Sequence, residues 1–192
     1  MIELGITIFI SLISLLIYYE KNISDLTYVE SKVSGIKYLC RNLPDKQKAA
    51  DTLGEVDVRL QKLIKYLEKN KNKKNEKGVN NIVKRFDPHN ISESPGGSKY
   101  TSYSVNKGEK IVFCIRTKDP QEKLIDINTI MFVAIHELAH LMSDSIGHTQ
   151  EFWTNMKYLL KQGMDLGIYK YQDYRANPKP YCGITITDTP LD

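Results

Sequence analysis

The sequence predicts an α+β fold in which an N-terminal transmembrane helix and a helical segment precede a mixed C-terminal half. Three observations carry the prediction. Residues 136–140 read His-Glu-Leu-Ala-His within a long apolar helical pattern, residues 100–105 and 110–115 read as two short strands, and residues 4–19 carry no charge. A helix period and a strand period therefore alternate along one chain.

At 192 residues with 41% hydrophobic and 26% charged content, the chain holds one sizeable globular domain and little more. A net charge of +4 is small, and one lysine run accounts for most of it, so the balance favours a solvated basic segment over a dedicated nucleic-acid protein. Cys40, Cys114 and Cys182 form neither a CxxC pair nor a dense framework, which points to a reducing compartment while allowing one bridge.

Taken in order, residues 4–19 make about 24 Å of helix at 1.5 Å per residue, with Tyr18 and Tyr19 suited to an interface. No positive start or small-residue exit site marks a cleaved signal. Residues 1–21 are thus expected to be a retained anchor that contacts the membrane through residues 2–19. Lys21, Lys32 and Lys37 follow it, which sets the rest of the chain on the cytoplasmic side of a single pass.

Residues 22–70 read as a helical stalk or packing module. Val29, Val33, Ile36 and Leu39 or Cys40 form one stripe, and Pro44 breaks it. Asp45 then caps a second helix through Ala49, Leu53, Val56, Leu60, Leu63, Ile64 and Leu67. Residues 71–99 read as a lysine-rich linker and turn-rich region, with a short helix over 80–85 and His89 in a surface loop.

Residues 100–192 form the last unit. The two strands joined by Asn106-Lys107-Gly108-Glu109 make a hairpin whose open edge is available to an extended peptide. Proline at Val112 or Cys114 is the expected probe of that edge. Asp126 or Asn128 caps the next helix, which is apolar over most of its circumference, so polar groups inside it must be satisfied.

His136 and His140 stand one turn apart on that helix, and their imidazoles face the same point. Two histidines leave Zn²⁺ under-coordinated, and a third ligand plus an open position gives the catalytic set. His148 is the candidate, carried back by a turn at Gly147, with Asp144 and Glu151 as rival oxygen ligands or as acceptors for a ring N–H. Thr149 caps a helix that runs from Gln150 to Gly163, and Phe152 and Trp153 pack the turn. In this arrangement the metal polarises a carbonyl and Glu137 moves protons. Tyr169, Tyr171, Tyr174, Arg175 and Tyr181 are the candidates for oxyanion stabilisation, and residues 181–187 read as a final strand.

HELAH followed by GHTQEFW resembles the zincin metallopeptidases of the SprT-like and WLM groups. The resemblance covers roughly residues 100–161 and implies a zincin-like catalytic domain over 100–192. By position it implies His136, His140 and His148 as ligands, Glu137 as base and Phe152 or Trp153 as packing aromatic. Members of these groups act on proteins attached to DNA or near ubiquitin-type modifiers. The expectation is therefore a membrane-anchored zinc-dependent endopeptidase with a polypeptide substrate. Its alternatives are a non-catalytic zinc-stabilised structural membrane protein and a DNA-associated protease that binds DNA through residues 69–77.

Overall fold

The computed structural model describes residues 2–23 and 25–191, with the backbone alone for residues 2–4, 8 and 18–23. The N-terminal helix forms as α1 (Ile2–Ile23). Its transmembrane assignment is corrected: among the described residues, no helix is long and apolar enough to cross a membrane. The uncharged stretch falls short of the roughly 30 Å hydrocarbon core, and Glu3, Glu20 and Lys21 bound it on both sides. The membrane contact through residues 2–19, the single-pass localisation, the cytoplasmic placement and the structural-membrane-protein alternative all rested on that anchor and fall with it. The α+β architecture stands.

The first half of the helical module is also corrected. Residues 26–41 form an antiparallel pair, β1 (Leu26–Glu30) and β2 (Lys37–Arg41), with Leu26 opposite Arg41 and Glu30 opposite Lys37. The turn between them places Gly35 at φ +72°, a conformation a helix interior never uses. The apolar residues that mimicked a helical stripe fall on two strands and the turn between them; in β2 the alternation is plain, with Tyr38 and Cys40 buried.

The second predicted helix is α2 (Lys46–Lys69), and its expected stripe is buried. Asp45 occupies the N-cap position but makes no capping bond; its carboxylate takes Arg116 Nη1 at 2.7 Å instead. Helix α2 lies tight against the β1–β2 turn. A Cβ on Gly54 would stand 2.1 Å from Ser31 Oγ, so only glycine permits this approach. Buried Asp57 accepts from Tyr38 Oη at 2.8 Å and from Gln61 Nε2 at 2.8 Å, which satisfies a charge that would otherwise be costly.

The region read as a linker is ordered structure. α3 (Glu76–Arg85) buries Val79 and Ile82, and after a 3₁₀ turn at Pro88–Asn90 comes β3 (Ile91–Glu93). The lysine run is the short connection between α2 and α3, fastened by Asn75 Nδ2 to Tyr158 Oη at 2.7 Å.

The predicted hairpin appears as β4 (Tyr103–Val105) and β5 (Lys110–Phe113). The sheet runs β1-β2-β3-β5-β4, with β2, β3 and β5 parallel and the outer pairs antiparallel. Strand β5 is therefore interior and β4 supplies the free edge. Proline at Val112 or Cys114 would break the sheet rather than probe an edge, and that expectation is corrected.

α4 (Ile127–Met142) is capped as expected, Asp126 Oδ1 accepting from Thr129 N at 2.9 Å. It is followed by α5 (Gln150–Asp165), where Thr149 caps by accepting from Phe152 N. Gly163 does not end α5. A Cβ there would meet Ile135 Cδ1 at 3.2 Å, so the glycine serves the close packing of α5 on α4, and the chain reverses at Gly167 with φ +68°. One core joins the sheet, α2, α3, α4 and α5. The C-terminal strand is a hairpin, β6 (Lys179–Tyr181) with β7 (Ile184–Ile186), and a Cys114–Cys182 disulfide ties its turn to the end of β5. Cysteine spacing concealed this bridge, because the two residues lie 68 apart in sequence. Cys40 is free and buried.

Candidate metal centre

His136 and His140 project from the same side of α4, and the turn after it returns His148 to them. One nitrogen from each ring lies within 4.8 Å of the other two. His148 Nε2 approaches His136 Nε2 to 3.0 Å. Phe152, fully buried, packs against all three imidazoles with ring centroids at 4.8, 4.4 and 4.7 Å from His136, His140 and His148. Trp153 flanks His148 alone at 5.5 Å and is partly exposed.

The turn is fixed from both sides. Glu151 accepts from Asp144 N at 3.0 Å and Ser145 N at 2.9 Å, while the Asp144 carboxylate pairs with Lys77 Nζ at 2.6 Å and Arg85 Nη2 at 3.4 Å. Both rival oxygen ligands are thus engaged in holding the loop. Gly147 takes the expected left-handed conformation at φ +80°. His89 is exposed and pairs with Asp87, outside the cluster.

Electrostatics suit metal coordination. Burial pushes His136 down to about 3, assisted by the charges His140 and His148 would carry. Burial likewise pushes His140 down to about 4, with His148 and Lys107 adding to it. Both rings are neutral near pH 7 and offer lone pairs, and an all-imidazole donor set suits Zn²⁺. Glu137 is raised to about 7 by burial, against hydrogen bonds from Ser104 that pull it back. Its Oε2 is buried without a partner among the described residues, which leaves room for one donor next to the imidazole cluster.

The cleft over the cluster encloses about 720 Å³. One side consists of His136, Glu137, His140 and the Ile146-Gly147-His148 turn; the other consists of residues 101–104 of the β4 edge, Asn106, Lys107 and Ile184. The sequence did not reveal Lys107 as a structural post. It sits at φ +59° in the hairpin turn, and its ammonium donates to the carbonyls of His140, Ser143 and Ser145. Arg85 Nη1 adds bonds to the carbonyls of Leu141 at 2.7 Å and Ser143 at 3.1 Å. Two cations therefore satisfy the open carbonyls at the α4 C-terminus, where the helix dipole favours positive charge. A lysine at a hairpin position that favours Asn or Gly was the available signal.

The five oxyanion candidates separate. Tyr169 and Tyr174 are core residues stacked near Phe132, Tyr171 is exposed, and Arg175 pairs with Asp188. None lines the cleft. Tyr181 does reach the segment leading into β4, its hydroxyl 2.6 Å from Ser102 Oγ.

Comparison with known proteins places this geometry. The WLM domain family matches residues 31–179, well over half of the chain. "Uncharacterized protein R325" of Acanthamoeba polyphaga mimivirus is 36% identical over 193 residues, covering 97% of this chain and 96% of that protein. "Uncharacterized protein 136R" of Invertebrate iridescent virus 6 is 37% identical over 82 residues, 42% of this chain and 44% of its own length. The crystal structure of Wss1 from Saccharomyces cerevisiae superposes with a TM-score of 0.51 over 67% of this chain and 88% of that one, at 20% identity, a likeness of fold.

Proposed function

The chain belongs to the WLM-domain metallopeptidase family, and from that premise we propose that it is a zinc-dependent endopeptidase acting on proteins bound to DNA. The observation that carries the peptidase reading is the convergence of three imidazoles beside a buried carboxylate at the floor of an open cleft. His136, His140 and His148 are the ligands. When bound, Zn²⁺ supplies a Lewis acid that acidifies water and polarises the scissile carbonyl.

The chain's own residues do the rest. Glu137 accepts the proton of the attacking water and returns it to the leaving amine. Ser104 orients that carboxylate. Phe152 fixes the three rings, and the free edge of β4 lies along the cleft, where an extended backbone can pair with it.

The DNA-bound substrate is favoured by the position of the lysine run. Lys77 is paired with Asp144 on the very turn that carries His148, and residues 69–74 are exposed. A phosphate backbone lying along residues 69–77 would pass close to the cleft.

Cleavage of a denatured protein mixture by the zinc-loaded chain, abolished in Glu137→Gln with zinc retained, tests the chemistry. Unchanged cleavage in that variant would refute it. DNA binding that weakens as salt rises and fades in Lys73→Glu/Lys74→Glu tests the substrate; no binding at low salt would remove DNA from the account.

A further inference from the structure

The cleft has a wall that the family match does not include. The match ends at residue 179, where β6 begins, so the hairpin turn and β7 lie beyond it. In the hairpin Tyr181 stands directly opposite Ile184, and opposed residues of an antiparallel pair share a face. That shared face looks onto the site: Tyr181 Oη meets Ser102 Oγ on the segment leading into β4, and Ile184 lines the cleft together with His136, Glu137 and His140.

The fastening of this wall is more extensive than a surface hairpin of this size requires. Ser102 Oγ also accepts from Cys114 N at 3.0 Å, and Cys114 is bonded to Cys182 in the hairpin turn. Cys182 and Gly183 both have positive φ, at 48° and 84°, as a two-residue turn demands. Tyr181, Cys114 and Cys182 form a small buried cluster of their own, packed on Val133 of α4. Yet Ile184 is 53% exposed, and Ile146, which lines the same cleft from the His148 turn, is 89% exposed. Two large aliphatic side chains are thus presented to solvent at a cleft whose other lining residues are mostly of polar type.

We propose that the β6–β7 hairpin is the specificity wall of the cleft, with Ile184 selecting an apolar substrate side chain beside the scissile bond and the Cys114–Cys182 bond holding the wall in register. This rests on the peptidase reading above. Ile184 is a specificity residue and the disulfide a positioning device; neither takes part in the chemical step. An apolar side chain of the substrate would be desolvated between Ile184 and Ile146, and a charged one would lose hydration there without a partner.

The test is the cleavage-site profile of the zinc-loaded full chain on a proteome-derived peptide library, read by mass spectrometry. The natural chain is expected to show enrichment of large aliphatic or aromatic residues at one position flanking the cleaved bond. Ile184→Ala should reduce that enrichment about tenfold, the scale of a lost apolar pocket contact. Ile184→Glu should shift the same position towards Lys and Arg. Cys114→Ser/Cys182→Ser should keep its zinc and broaden the same position, through KM rather than kcat. A cleaving Ile184→Glu enzyme with the natural profile would overturn the wall, and a natural profile in the double serine variant would overturn the clamp. No cleavage by the zinc-loaded natural chain would sink the peptidase reading and this inference with it.

Discussion

The two sides of the cleft are built in opposite ways. The metal side comes from one continuous run, α4 and the turn to α5, where His136, Glu137, His140 and His148 follow one another closely. The facing side is assembled from β4 and from a C-terminal hairpin far along the chain, joined by a hydrogen bond and a disulfide. Local order brings the residues of the first side together, with Lys77, Arg85 and Lys107 bracing its turn from afar, whereas the second side exists only through long-range fastening. Chemistry is thereby placed on the part that folding can specify most directly, and selectivity on the part that can vary with the least disturbance to the metal.

Changes on the metal side should therefore abolish function, while changes on the facing side should retune it. Glu137→Gln is expected to lose about 10²–10⁴-fold in cleavage rate, the range for a general base, with zinc content unchanged. Phe152→Ala removes the ring under all three imidazoles and should lower stability by about 3–5 kcal/mol in urea unfolding, with weaker zinc retention. Retained stability would show that the imidazoles support one another without it. On the facing side, Cys114→Ser/Cys182→Ser should cost about 2–4 kcal/mol in the same assay, since it frees a long loop in the unfolded chain. Lys107→Met addresses the link between the sides, because the hairpin turn holds the end of α4 through this one ammonium. Loss of its charged hydrogen bonds should cost about 1.5–3 kcal/mol, and a change below a few tenths would leave Arg85 as sufficient.

The same contrast governs what the sequence reveals. The caps at Asp126 and Thr149, the left-handed Gly147 and the three-histidine cluster are all local, and each was legible. Strands β1 and β2 were read as helix because apolar residues three and four apart fit two strands and a turn equally well. Helices α1 and α4 are both strongly apolar. The sequence sets them apart, α4 as a buried domain helix and α1 as a membrane anchor; α4 is buried among α2, α3, α5 and the sheet, whereas α1, with Phe9, Leu15 and Leu16 exposed, falls short of a membrane-crossing helix. The disulfide, the Tyr181–Ser102 contact and the role of Lys107 depend on approaches between distant segments, for which a single sequence carries no periodic signal.

The central claim is that three imidazoles from this short run hold the metal. Its most direct test is elemental analysis of the purified full chain alongside His148→Ala. Stoichiometric zinc in the natural protein, lost or strongly weakened in the variant, is the predicted result; zinc held equally well without His148 would contradict it.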